Sequence, residues 1–171
     1  SSDIQHKSDV GGVKLNIKNE AELREAYAAI MDSCRKNAPA ARLEGVLLKP
    51  MLKAGVEMII GVNNDRDFGP MIMVGMGGVF VELFKDVQLA PAPLTRLQAE
   101  RLIENLASYP LLNGYRGGVV CDKEALANLL VKISEMAAEC KDTVKELDIN
   151  PVFVTEDGAA IADALLVVYD D

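Results

Sequence analysis

The chain contains one histidine, His6, in the opening run SSDIQHKSDVGGVKL. An imidazole nitrogen is a nucleophile that can accept a phosphoryl group and pass it on. A lone histidine is more often structural or solvent-facing than catalytic, and with no second one among 171 residues it cannot build a histidine metal cluster. Towards the other end stand Asp148, Asn150 and Asp163. Asp148 and Asn150 lie two apart in the run VKELDINPVFV, so on a strand their side chains face one way. A turn at Glu156, Asp157 and Gly158 is expected to fold the strand carrying Asp163 back beside them. Such a group among apolar neighbours is costly unless a cation sits there. Magnesium bridging nucleotide phosphates is held by one or two carboxylates in this way. The alternative is a row of edge polar residues facing water.

Two glycine-rich stretches add to these candidates. VGMGGVFVE carries Gly75, Gly77 and Gly78, a turn in which backbone N–H groups can approach phosphate oxygens without a Cβ in the way. It is neither a Walker loop nor a dinucleotide-binding fingerprint, because no helix with Lys-Ser/Thr follows. A tight hairpin explains the same residues. LLNGYRGG presents Arg116 between glycines, either as a fork of donors for a phosphate or carboxylate or as a surface arginine in a turn.

The elements that must position these residues read as a mixture. Residues 13–17 alternate as a strand would. Asn19 with Glu22 forms a capping box for a helix reaching about Asn37, where Pro39 stops it. Strands are expected over 43–51, ended by Pro50, and over 55–65, followed by two short strands within 69–87 around the glycines. Thr95 with Gln98 caps a second helix. Asp122 caps a third, whose Leu126, Leu129, Leu130, Ile133 and Met136 form an apolar stripe. Residues 144–168 read as a strand broken at Pro151, a turn, and a last strand. The class is α/β or α+β, with a largely antiparallel portion of sheet.

Composition limits the function classes. The formal net charge is −8, which argues against nucleic acid as the main partner. No apolar run reaches the ~18 residues of a membrane span and no secretory leader is visible, so a cytoplasmic setting is expected. Cys34, Cys121 and Cys140 are too scattered for a zinc site or a disulfide framework and read as ordinary thiols.

Taken together, DIQHKSDVGGVKL, LLKPM, GVEMIIGVNND, FGPMIMVGMGGVFVELFKD, YPLLNGYRG and ELDINPVFV with DGAAIADA resemble, in order and spacing, the ATP-grasp domain of the ADP-forming acyl-CoA synthetases. The resemblance covers nearly the whole chain. It implies an ATP-grasp fold, with residues 1–50 the remainder of its N-terminal lobe and residues 51–171 its C-terminal lobe. The part of the N-terminal lobe carrying the family's nucleotide-contacting lysine is expected to precede the HKSD stretch, outside this sequence. The implied reaction interconverts acyl-CoA, ADP and phosphate with acid, CoA and ATP. In it His6 shuttles phosphoryl to and from the nucleotide, and Asp148 orients or charge-balances that histidine. Asn150 and Asp163 match the Mg²⁺ positions. Lys49, Pro50 and Met51 resemble the segment that contacts adenine, Glu57 the ribose side, and Gly77 and Gly78 the cover of the phosphates, with Glu82 and Arg116 nearby. The implied partner is a CoA-binding subunit or fused domain, through which CoA and acyl-CoA enter, within an oligomer. A ligand-sensing module of a protein acyltransferase, without turnover, is the competing reading.

Overall fold

The computed structural model describes residues 1–4, 7–78 and 85–169. The chain divides into two compact units, Ser1–Met51 and Leu52–Asp171.

The first unit is built on helix α1, Glu20–Asn37. Asn19 caps it as expected: its side chain accepts from the Glu22 N–H at 2.9 Å, and Glu22 reaches back to the Lys18 N–H at 2.9 Å. Arg35 and Lys36 lie in the last turn, where the helix dipole favours cations. Met31 and Cys34 turn inward and Ile4 is buried in the same unit. The two strands expected here, over 13–17 and 43–51, do not form. A strand is stable only when a neighbour completes its hydrogen-bond ladder. No described residue of this unit lies in a strand, so these runs have no ladder to join. Leu15, Leu47 and Leu48 are accordingly exposed.

The second unit is an antiparallel sheet covered on one face by helices. Its strands are β1 Val56–Asp65, β2 Gly69–Met76, β3 Val87–Pro91, β4 Val144–Thr155, β5 Gly158–Ile161 and β6 Ala164–Val168. They run in the order β3-β2-β1-β4-β5, and β6 also pairs with β4. Helices α2 (Arg96–Glu104) and α4 (Lys123–Glu139) pack against each other, and a short α3 (Tyr109–Leu112) links them. Thr95 and Asp122 cap α2 and α4 as the sequence predicts. Alternate strand residues (Met58, Ile60 and Val62; Ile72 and Val74; Leu147 and Ile149) enter the core and meet Leu102, Ile103, Leu126, Leu130 and Ile133. Burying each such side chain stabilises the fold by ~1.5–3 kcal/mol. Leu129 and Met136 of the expected stripe are only partly buried at its edge.

The expected break at Pro151 is absent. β4 continues through it, because a β-bulge there removes the need for the proline's missing N–H. Met58 pairs with Val152 but Ile60 pairs with Ile149, so Asn150 and Pro151 together oppose Ile59. The Asn150 N–H donates to the Asp163 carbonyl at 3.2 Å, and the Pro151 carbonyl accepts from Ala162 at 3.0 Å. The last strand is also divided, into β5 and β6, on either side of residues 162–163.

Among the described residues the polar side chain of Ser134 lies fully inside. The Ser134 hydroxyl accepts from the Leu94 N–H at 2.9 Å and donates to the Val131 carbonyl at 2.7 Å. It ties the approach to α2 onto α4. Ser134→Ala leaves a buried N–H unsatisfied, so urea unfolding is expected to show a loss of ~1–3 kcal/mol.

Candidate functional site

The bulge in β4 sets the phase of the sheet face away from the helices. Leu147 and Ile149 point into the core, so Asp148 and Asn150, which alternate with them, point to the open face, where both are exposed. Asp148 pairs with Gly61 of β1 on one side and Leu165 of β6 on the other. Extending that ladder, the Asn150–Asp163 backbone hydrogen bond brings Asp163 alongside Asn150, as the hairpin argument requires. After the bulge Val152 and Val154 return to the core, which a regular strand would not allow. The bulge therefore keeps both halves of β4 packed while presenting Asp148 and Asn150 on one surface.

The surroundings of Asp148 are apolar. Gly61 contributes no side chain, Met73 packs over Gly61, and Leu165 is directly opposite. Partial burial pushes the Asp148 carboxyl above its usual range. The folded protein then holds this proton more tightly than the unfolded chain does. Stability contributed by the neutral form is present at low pH and is lost as pH rises through the raised value. Asp148→Asn, which is neutral at every pH, is therefore expected to melt at higher temperature than the wild type at pH 7. The difference should vanish below about 3.9, the ordinary Asp value. Melting curves at a series of pH values check this, and equal melting temperatures at pH 7 would contradict it.

Two carboxylates and one amide form an all-oxygen donor set, the kind that magnesium accepts while retaining water and phosphate ligands. Among the described residues no cluster of three or more His, Cys, Asp or Glu side chains forms a metal site.

A second group gathers at the end of β2. The Gly77 N–H donates to the Glu57 carbonyl at 2.7 Å. A Cβ on Gly77 would lie 3.0 Å from the Glu57 carbonyl carbon, and one on Gly78 would lie 3.0 Å from Glu57 Oε2. Gly78 has φ +68°, a conformation suited to glycine. The glycine pair thus makes room for Glu57 itself, a reason for glycine that the sequence did not disclose. Glu57 pairs with Phe153, while Asn150 opposes Ile59 and Asp148 pairs with Gly61. At about 3.3 Å per residue the two groups stand ~7–13 Å apart along the sheet.

The other expected residues are placed separately. Lys49, Pro50 and Met51 form the exposed, irregular end of the first unit. Arg116 sits in a 3-10 turn, Tyr115–Gly117, with its guanidinium 5.5 Å from the Tyr115 ring centre. Glu82 lies outside the described residues, as does most of the strand expected after Gly78. His6 also lies outside them, but the chain on both sides of it is held. Asp3 Oδ2 accepts from the Arg42 N–H at 2.8 Å. Residues 7–12 form a tight loop closed by the Gly12 N–H on the Lys7 carbonyl at 2.7 Å. That loop is fastened to α1 by Ser33 and Asn37, whose side chains both reach the Val10 carbonyl. Sequence reasoning missed these two, since two polar residues on a helix face give no signal of a partner more than twenty positions away.

Comparison with known proteins adds an independent line. A family model described as an ATP-grasp domain matches residues 1–168. The beta subunit of ADP-forming acetate–CoA ligase I from Pyrococcus furiosus is 46% identical over 168 residues, covering 98% of this chain and 72% of that subunit. ADP-forming acetate–CoA ligase I from Archaeoglobus fulgidus is 43% identical over 171 residues, covering 100% of this chain and 25% of that longer protein. A solved structure of dinucleotide-forming acetyl-coenzyme A synthetase 1 from Ca. Korarchaeum cryptofilum matches with a TM-score of 0.85 and 39% identity, over 96% of this chain and 71% of that one. That protein is in complex with coenzyme A and Mg-AMPPCP, its phosphohistidine segment pointing towards the nucleotide binding site.

Proposed function

Because the chain belongs to the ATP-grasp domain family, we propose that it is the nucleotide-binding part of an ADP-forming acyl-CoA synthetase. The overall reaction is acyl-CoA + ADP + phosphate = acid + CoA + ATP. The observation that carries this reading is the identity with ADP-forming acetate–CoA ligase subunits along 98% of the chain. The ligase character of those relatives favours turnover over ligand sensing alone.

In this reading His6 is the phosphoryl carrier. The lone pair of a ring nitrogen forms the N–P bond as the P–O bond of the donor breaks, and that bond's electrons leave on the oxygen. Attack by a β-phosphate oxygen of ADP breaks the N–P bond and frees the imidazole. Asp148 orients the ring or balances its charge. Asn150 and Asp163 hold Mg²⁺, which neutralises the phosphate oxygens. Glu57, Gly77 and Gly78 border the nucleotide, with Lys49, Pro50 and Met51 on its adenine side and Glu82 and Arg116 near the phosphates. Residues 1–50 serve as the remainder of the N-terminal lobe and residues 51–171 as the C-terminal lobe. The CoA chemistry is supplied by a CoA-binding subunit or fused domain. No helix among the described residues is long and apolar enough to cross a membrane.

The test is chemical. The full-length protein, with its CoA-binding partner, Mg²⁺ and γ-labelled ATP, is expected to acquire acid-labile phosphate on His6. Label found only on the partner would overturn the carrier role of His6.

A further inference from the structure

A cavity of about 600 Å³ lies at the β3 edge of the second unit, between the sheet and the link from α2 to α3. Its apolar wall includes Met76, Ala107 and Leu111, and its polar wall Gln88, Asn105 and the exposed Lys85. The strands decide on which side of the sheet it opens. Ile72 and Val74 of β2 enter the core beneath the helices, and Met76, two positions on, packs against the same core. Gln88 is the register partner of Val74 and shares that face. Asp148 and Asn150 stand on the other face, so the cavity is separate from the candidate nucleotide site.

Its frame is fixed by hydrogen bonds. Gly75 pairs with Val87, and the Met76 N–H donates to the Asp86 carbonyl at 3.2 Å, holding β2 to β3. The Asp86 carboxylate accepts from the Ala107 and Ser108 N–H groups at 2.9 and 2.7 Å, and Gln88 Nε2 donates to the Asn105 carbonyl at 3.3 Å. These bonds pin the α2–α3 link to the sheet edge. They also occupy Asp86, the carboxylate next to Lys85 in sequence. Among the described residues no ion pair or side-chain hydrogen bond engages Lys85. Its backbone is held at φ +49°, a left-handed conformation that a residue with a Cβ adopts only at a cost. The Val87 N–H closes a turn on its carbonyl at 3.0 Å. Backbone strain of this kind persists where the surroundings fix it, and it concentrates at ligand sites.

A cavity of this size, with an apolar wall and a few converging polar groups, has the form of a small-molecule site. The unpaired ammonium calls for an anion, and the Asn105 side-chain amide adds an N–H donor. The apolar wall calls for hydrocarbon. We infer that this cavity binds a monocarboxylate with a hydrocarbon or aromatic body, its carboxylate on Lys85 and its body against Met76 and Leu111. A phosphate ester suits it less, since one lysine does not compensate a dianion set against an apolar wall. This site lies outside the reaction proposed above and stands without it.

The experiment uses the full-length protein with its CoA-binding partner, labelled with ¹³C in the methionine methyl groups. Phenylacetate is the probe, and the Met76 signal is identified by its loss in Met76→Leu. That signal is expected to shift saturably with phenylacetate and to stay in place with acetate, which has no body to reach the wall. Lys85→Met keeps most of the stem and removes the charge. It should weaken phenylacetate binding by about fivefold, the upper range of an exposed ion pair, and leave binding of the neutral phenylethanol unchanged. Leu111→Trp fills the cavity and should abolish the Met76 shift with both compounds at an unchanged melting temperature. An unmoved Met76 signal in the wild type overturns the inference, as does equal phenylacetate affinity in Lys85→Met. A shift that survives in a folded Leu111→Trp protein places the compound elsewhere and overturns it too. The first two comparisons decide the matter even where Leu111→Trp fails to fold.

Discussion

His6→Asn is expected to abolish net acyl-CoA turnover while Mg-ATP still binds. Asparagine keeps the polarity and much of the size of the imidazole, so the loop can retain its shape. The amide nitrogen's lone pair is delocalised into the carbonyl and cannot form the N–P bond. The chain has no second histidine to take over. Loss of a covalent nucleophile that acts with its partners as one unit costs on the order of 10⁶-fold in kcat in other enzymes. A loss of that order is expected here, measured as acyl-CoA-dependent ATP formation by the assembled enzyme. Titration with a non-hydrolysable ATP analogue should give the same affinity for variant and wild type. Substantial turnover by the variant would sink the covalent relay, and lost nucleotide binding would show that the substitution had damaged more than the chemistry.

Gly75→Ala is expected to be strongly destabilising at the sheet end of the site. Gly75 is buried in β2, and a Cβ there would lie 2.7 Å from both the Asp86 carbonyl oxygen and Val87 Cγ1. The carbonyl is backbone and cannot swing aside. It also accepts from the Met76 N–H at 3.2 Å, so moving it opens the end of β2. Asp86 has a further task. Its carboxylate accepts from the Ala107 and Ser108 N–H groups at 2.9 and 2.7 Å. Burial pushes its carboxyl up, but hydrogen bonding from Ser108 and Ala107 outweighs that and holds it below the usual range. Overpacking together with weakened hydrogen bonds should cost ~2–4 kcal/mol in urea unfolding. Gly69→Ala is the matching control. At φ +74° with no atom within 4 Å of its added Cβ, it costs only the left-handed strain of ~1–2 kcal/mol. Equal losses in the two variants would show that the contact with Asp86 is not tight.

The helix starts were legible because a cap is a local contract. Asn19, Thr95 and Asp122 each lie three residues before the N–H they accept, within reach of any reading of short spacings. The stripe of α4 was legible for the same reason, since one period repeats along one element. The same local reading failed over 13–17 and 43–51. Strand composition there states a preference, whereas a strand exists only when a second chain segment supplies the ladder. It failed again at Pro151, where a missing N–H was read as an ending. In the folded protein the bulge turns that residue away from the ladder, and Ala162 uses its carbonyl instead.

The candidate chemistry divides along the same line. Residue types and near spacings marked His6 as chemically able to carry phosphate and Asp148, Asn150 and Asp163 as a candidate oxygen donor set, because nucleophilicity and donor character belong to side chains wherever they lie, and it was the family resemblance that favoured His6 as the carrier. Near spacings were also enough to foresee the hairpin that returns Asp163 to Asn150. What they could not contain is the company each residue keeps across the chain. Folding alone set Glu57 against Gly77 and Gly78, surrounded Asp148 with Gly61, Met73 and Leu165, and clasped the Val10 carbonyl from Ser33 and Asn37. Each of these contacts joins segments separated in sequence, and the close packing of backbone on backbone that selects between glycine and alanine exists only once those segments have met.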